Sequence, residues 1–153
     1  MGLSVINDKR NKKQLVSQSI TSMISELKEI KKAIEENKKP VLQVDKHDLS
    51  SVNLNFSFGG FITASYESML FSGVLREIDI ETQRKIIDLY EHIRLYNDMK
   101  RRLQEIIVAS VNTVSPIFVE NLQKFGETLS GALTKIKTKV DDMLQLLTNN
   151  YET

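Results

Sequence analysis

The stretch from Val16 to Ile34 constrains the fold more than any other part of the chain. Its apolar residues recur at alternating steps of four and three positions, and charged residues fill the positions between them. In an α-helix, this spacing places the apolar side chains on one narrow face. The seam consists of Val16, Ile20, Met23, Leu27, Ile30 and Ile34. We therefore expect a helix from about residue 12 to residue 36, which ends before Pro40 because residues that precede proline avoid the helical conformation.

Two later stretches carry the same helical period. The first follows Asp79, a candidate N-cap, and the second follows Ser115-Pro116, because serine suits the cap and proline the first helical position. Their apolar faces are formed by Ile86, Leu89, Ile93, Tyr96, Met99, Leu103 and Ile107, and by Leu122, Phe125, Leu129, Leu133, Ile136, Val140, Met143 or Leu144, and Leu147. The sequence thus predicts an all-α fold, an antiparallel helical bundle of three long helices plus a short helix and an extended aromatic connector.

The connector, residues 40–60, interrupts the helical period. The stretch NFSFGGFITASYESMLFSG, residues 55–73, contains four of the six phenylalanines of a chain without tryptophan. Residues 52–58 alternate apolar with polar side chains as a strand does, but we identify no second alternating segment to pair with it. We therefore expect an extended connector that covers the open side of the bundle, with strand pairing only in an oligomer. A short helix should follow at about residues 62–71, ended by Gly73.

The chain has the size of one domain, so we assign residues 1–153 to a single helical bundle with frayed ends at 1–9 and 149–153. Its 21 basic and 20 acidic residues give a net charge of +1, which provides no long-range attraction for nucleic acid. No stretch offers about 18 consecutive apolar residues, so we expect a soluble chain as written. Its compartment stays open: cytoplasmic, or membrane-associated if a native anchor is missing. The absence of cysteine excludes disulfides and thiolate chemistry.

Candidate catalytic groups are few. The two histidines are His47 and His92, and His92 follows Asp88 by four positions, a spacing typical of a surface charge pair on a helix. No glycine-rich phosphate loop or nucleophile elbow occurs. We therefore expect a non-enzyme with no catalytic residues, no metal ligands and no cofactor.

Three surfaces remain as candidate binding sites. The first is the seam of the first helix, which suits self-association because a strict two-in-seven stripe is typical of coiled coils. The second is a basic patch formed by Arg94, Lys100, Arg101 and Arg102, with a second basic cluster at residues 9–13. The third is an apolar pocket formed by Tyr66, Phe71 and Tyr90.

The leading hypothesis is a non-catalytic helical-bundle interaction module that self-associates through the first helix or binds a protein partner. The alternatives are peripheral binding of nucleic acid or an anionic membrane through the basic patches, and a small-ligand sensor domain. We do not expect nucleic acid, given the balanced charge. Membrane association would require a missing anchor or a partner.

The segment ASYESMLFSGVLREI, residues 64–78, followed by IIDLYEHIRLYN, residues 86–97, resembles a group of uncharacterised prokaryotic helical domains. In those domains a Tyr-Glu-x-x-x-x-Ser-Gly turn precedes a helix that carries a Leu-Tyr pair and an asparagine, often behind a membrane anchor. The resemblance implies a helical interaction or sensory-type module without catalysis. It also implies a native anchor ahead of residue 1, although the first seam of this chain is flanked by many charges and no anchor is visible in it.

Overall fold

The computed structural model describes residues 2–36, 42–44, 52–54, 60–109 and 115–151. The elements in chain order are the helix α1 (Gly2–Glu36), the strands β1 (Leu42–Val44) and β2 (Val52–Leu54), the helix α2 (Ala64–Ser72), a 3-10 helix (Val74–Glu77), and the helices α3 (Ile80–Ala109) and α4 (Pro116–Tyr151). The predicted all-α helical bundle is confirmed.

The seam of α1 lies in the core of the bundle. Five of its six residues are buried, with Met23 and Leu27 fully inaccessible to solvent, and Val16 is half-buried. Helix α4 packs against both α1 and α3, and the apolar faces of the three helices share one hydrophobic cluster. The seam that we assigned to self-association is therefore covered by other helices of the same chain.

The three long helices do not simply alternate in direction. Tyr151, at the end of α4, contacts Asp79, just before α3, so α3 and α4 run antiparallel. Helix α1 runs in the same direction as α3, because Lys12 pairs with Glu77 and Glu26 contacts Tyr90. The chain must therefore return along the bundle between the end of α1 and the start of α3.

The last part of this return occupies the space between α1 and α3. Both α2 and the 3-10 helix pack on α1, and the 3-10 helix also contacts α3. Met69, Val74 and Leu75 are the buried residues of these two elements. Between them Gly73 adopts a left-handed conformation, with φ 74°, and its N–H donates to the carbonyl of Leu70. This is the expected glycine C-cap, since a Cβ is strained in that conformation.

The predicted caps of the two later helices are confirmed. The Asp79 carboxylate accepts a 2.9 Å hydrogen bond from the N–H of Thr82, and the Ser115 hydroxyl accepts one of 3.2 Å from the N–H of Phe118. Both bonds satisfy donors of a first helical turn that have no partner within the helix. These local signals therefore located the starts of α3 and α4.

The structure corrects three details of the sequence-based description. First, β2 pairs with β1 in the same chain, antiparallel, with Val52 opposite Val44, so pairing needs no oligomer. The sequence analysis missed β1 because a strand of three residues is too short for its alternation to be recognised. Second, α1 extends through residues 2–9, which we expected to be frayed. Third, α4 continues to Tyr151, whose side chain is held by Asp79. Phe56 and Phe58 of the connector lie outside the described residues.

Candidate functional site

Asn97 of α3 fixes the segment that leads into α2, residues 60–65. The N–H of Phe61 donates to Oδ1 of Asn97 at 2.8 Å, and Nδ2 of Asn97 donates to the carbonyl oxygen of Phe61 at 3.0 Å. One side-chain amide thus satisfies both backbone polar groups of Phe61. A Cβ on Gly60 would lie 2.9 Å from Cγ of Asn97, so only glycine allows this close approach. The ring of Phe61 also stacks on Tyr96, with centroids 5.2 Å apart.

Glu26 of α1 holds the start of α2. Its Oε2 accepts a 2.7 Å hydrogen bond from the N–H of Ser65, and its Oε1 accepts one of 2.6 Å from the hydroxyl of Tyr90. Thr63, in the N-cap position of α2, forms no capping hydrogen bond. Glu26 therefore replaces the usual cap, and its negative charge at the helix start is favourable. Only 9% of Glu26 is exposed, so these bonds compensate for the loss of its hydration.

Tyr90 is held on two sides. Its ring stacks on that of Tyr66 with centroids 4.3 Å apart and an interplanar angle of 9°. Burial raises the pKa of the Tyr90 hydroxyl, and the adjacent Glu26 carboxylate raises it further. The phenol therefore stays neutral and acts as a donor to Glu26.

The candidate aromatic pocket between Tyr66, Phe71 and Tyr90 is not present. The two tyrosine rings are in direct contact, which leaves no space for a ligand between them. Phe71 is 90% exposed at the end of α2 and contributes nothing to this stack. The helical period did not reveal this, because a helix of nine residues has no strong apolar face of its own.

A groove lies beside this clamped segment. It has a volume of about 520 Å³ and runs between α1 and residues 60–65. Its described lining consists of Ser22, Ser25, Glu26, Glu29, Ile30 and Ala33 from α1, and of Gly60, Phe61, Ile62 and Ser65. The polar part of this lining comprises two carboxylates and three serine hydroxyls, and no lysine or arginine belongs to it. The groove therefore combines acidic groups, all from α1, with apolar residues from both α1 and residues 60–65.

A second depression, of about 500 Å³, lies between α3 and α4 near Lys85 and Asn149. Asp88 belongs to its lining and His92 does not. The two residues form the surface pair that their spacing predicts, with Nδ1 of His92 3.6 Å from the carboxylate. The ammonium group of Lys139 also binds this carboxylate and lowers the pKa of Asp88. Since Lys139 neutralises Asp88, this depression offers a ligand less unbalanced charge than the groove does.

Acidic neighbours interrupt the candidate basic patch. Arg101 lies between two acidic residues, with its guanidinium 3.5 Å from Asp98 and 3.8 Å from Glu105. Lys100 is half-buried, and this burial lowers its pKa. Arg94 and Arg102 are exposed. Residues 100–102 also point in directions about 100° apart around the helix.

Sequence reasoning missed Glu26 and Asn97, although both left a signal. Glu26 stands three positions after Met23 and four before Ile30, on the edge of the seam, and Asn97 stands four positions after Ile93. A polar residue at a position of an apolar face must find a partner when it is buried. Such positions were therefore the place to look for contacts between elements.

The comparisons with known proteins provide no related site. No family model, no curated protein and no solved structure matches the chain. Within the described ranges, no group of three or more metal-binding side chains occurs. Within those same parts of the chain, no helix has the length and apolar character needed to cross a bilayer.

Proposed function

We propose that the chain is a non-catalytic helical-bundle interaction module that binds a short segment of a protein partner in the groove between α1 and residues 60–65. The observation that carries the proposal is the groove itself: a preformed site with firmly held walls and carboxylates that no cation of its described lining neutralises. It replaces the seam of α1 as the binding surface, since the seam is covered within the chain.

The walls of the groove support binding because they are held in place before a partner arrives. Both backbone polar groups of Phe61 form hydrogen bonds with the side chain of Asn97, and the N–H of Ser65 donates a hydrogen bond to Glu26. The hydroxyl of Ser65 donates a further hydrogen bond to the carbonyl of Ser22, 3.3 Å away. A preorganised site loses little conformational entropy on binding, so more of the contact energy contributes to affinity.

The chemistry of the lining favours binding over catalysis. A serine nucleophile needs an adjacent base, and the described lining includes no histidine or lysine beside Ser22, Ser25 or Ser65. The carboxylate of Glu26 already accepts two hydrogen bonds that hold the fold together. The volume is in the range of small-ligand pockets, about 300–1,000 Å³, which suits a few side chains of a partner segment.

A peptide-display selection on the immobilised protein tests this proposal. A random library of twelve-residue peptides would be selected against the wild type, and the recovered peptides measured against Ser25→Phe, which fills the groove. The matched control is Ser17→Phe, the same substitution about two turns earlier on α1, at an exposed position outside the groove lining. Circular dichroism would establish that both variants keep the helical fold.

We expect peptides whose affinity falls at least about tenfold with Ser25→Phe, equivalent to 1.4 kcal/mol, and stays unchanged with Ser17→Phe. A selection that yields no binders, or binders equally affected by the two variants, would refute the groove as the binding surface.

A further inference from the structure

We infer that the groove recognises an organic cation, a protonated amine or guanidinium group carried on an apolar stem, as in a lysine or arginine side chain with apolar neighbours. This inference rests on the proposed function and adds the chemistry of the bound group. It follows from three properties of the lining: its charge, the position of its apolar surface and the acceptors that it leaves available.

The charge of the lining is negative and concentrated on one wall. Glu26 and Glu29 are three positions apart on α1, a spacing that brings side chains together on one helix face. Glu29 is exposed and forms no ion pair within the described parts of the chain. Among the nearby cations of α1, Lys31 binds Asp141 at 2.6 Å and Lys32 lies 4.0 Å from Glu36, while Lys28 is exposed and does not belong to the groove lining. A bound cation would therefore supply the missing counter-charge.

The apolar surface lies beside the acidic wall. Helix α1 contributes Ile30 and Ala33 to this surface, and residues 60–65 contribute Phe61 and Ile62. Ile62 is 71% exposed. An exposed isoleucine in the same groove as two carboxylates suits a ligand that has both an apolar and a charged part. Lysine and arginine have this composition, since their methylene stems cover apolar surface while their charged ends stay at a polar site.

The available acceptors match the donors of such a group. A carboxylate has about four acceptor positions, and Glu26 uses two of them for Ser65 and Tyr90. The remaining positions of Glu26 and those of Glu29 can accept from an ammonium, which has three donors, or from a guanidinium, which has five. An anion would be repelled by the same wall.

The test is a titration of the ¹⁵N-labelled chain of 153 residues, followed by NMR, with four probes of similar length. Butylammonium and propylguanidinium reproduce the lysine and arginine side chains, 1-butanol is the neutral control and butyrate is the anionic control. Each probe lacks most of the contacts of a protein segment, so we expect a Kd of about 1 mM or weaker for the cations. The shifted amides should be those of residues 22–33 and 60–65.

The cations should bind at least about fivefold more tightly than 1-butanol, and butyrate should not bind, because only a cation gains attraction from the carboxylates. Glu29→Gln should weaken cation binding and narrow the difference from the alcohol, with Glu26 keeping part of the attraction. It should not change the fold, since Glu29 makes no contact between helices within the described residues. The matched control is Glu35→Gln, which removes the same charge from an exposed position on another face of α1. It should leave cation affinity unchanged.

The outcomes separate this inference from the proposed function. If 1-butanol shifts the groove amides as strongly as butylammonium does, or if Glu29→Gln and Glu35→Gln have equal effects, the cation inference is wrong and the groove remains a binding surface. The same holds if displayed peptides bind the groove but carry no lysine or arginine. If no probe shifts these amides and the selection yields no groove-dependent peptide, both proposals are wrong.

Discussion

The hydroxyl of Tyr90 donates a 2.6 Å hydrogen bond to the carboxylate of Glu26, a residue 64 positions earlier in the chain. Both residues are buried, at 2% and 9% exposure. The other oxygen of the same carboxylate accepts from the backbone of α2. Three helices, α1, α2 and α3, therefore meet at one acidic side chain, and the groove opens beside it.

Removal of the Tyr90 hydroxyl should destabilise the protein. In Tyr90→Phe the ring remains, but a buried carboxylate oxygen loses its donor, which costs about 1–3 kcal/mol. Urea unfolding followed by circular dichroism measures the loss. The control is Tyr66→Phe, which removes a hydroxyl from the same ring stack where that group forms no hydrogen bond within the described residues. Equal losses in the two variants would contradict the role given to the Tyr90–Glu26 bond.

Gly60 and Asn97 should be energetically coupled. Gly60→Ala places a Cβ against the Asn97 amide and disturbs its two bonds to Phe61, whereas in Asn97→Ala there is room for the same Cβ. We expect Asn97→Ala alone to cost about 1–2 kcal/mol for its two hydrogen bonds. Gly60→Ala should then cost at least ~0.5 kcal/mol less in the Asn97→Ala background than in the wild type. Strictly additive unfolding free energies would show that the contact is not a constraint.

Stability should fall in acid partly through Asp79. Hydrogen bonds from the backbone and side chain of Thr82 and from Tyr151 lower the pKa of Asp79 to about 2. A carboxyl group whose pKa is lower in the folded state stabilises that state above its unfolded pKa. This contribution is lost as the pH falls from about 4, the usual value for aspartate, towards 2.

Asp79→Asn isolates this contribution, because asparagine also caps helices but does not titrate. The difference in unfolding free energy between wild type and Asp79→Asn should be largest above pH 5 and shrink towards pH 2. Urea unfolding at a series of pH values measures it. A difference that stays constant over this range would rule out the ionised Asp79 as the cause.

The seam of α1 should contribute to folding of the single chain. Leu27 is fully buried, so Leu27→Ala should lower the unfolding free energy by about 2–5 kcal/mol. The unfolding midpoint should not depend on protein concentration, because the partners of Leu27 belong to the same chain. Leu15→Ala, at a position 49% exposed on the same helix, is the control and should change stability by less than about 0.5 kcal/mol. A midpoint that rises with concentration, together with a larger mass by light scattering, would instead indicate an intermolecular seam.

The features that could be predicted from the sequence are local ones. The seam from Val16 to Ile34 predicted α1, because the helical period is set by the backbone and repeats every 3.6 residues. Asp79, Ser115 and Gly73 marked helix ends through bonds or dihedral angles that span at most a few residues. An all-α bundle follows from these signals without knowledge of any long-range contact.

The candidate site could not be predicted in the same way. Tyr66, Phe71 and Tyr90 were grouped because they are aromatic. Only the position of α2 beside both α1 and α3 decided that Tyr66 meets Tyr90 and that Phe71 faces solvent. Likewise, the partner of Val52 is Val44, which the alternation of a single short strand cannot identify.

The sequence by itself determined where helices form, where they are capped and which face of each is apolar. Only the tertiary structure decided that the α1 seam is covered within the chain, that α1 and α3 run in the same direction, and that Glu26 and Asn97 hold the segment beside the groove. The physical reason is the range of the interactions. Helical periods and caps depend on neighbours within a few positions, whereas the bonds of Glu26 and Asn97 join residues 36 to 64 positions apart. Such bonds form only when hydrophobic packing has brought the helices together.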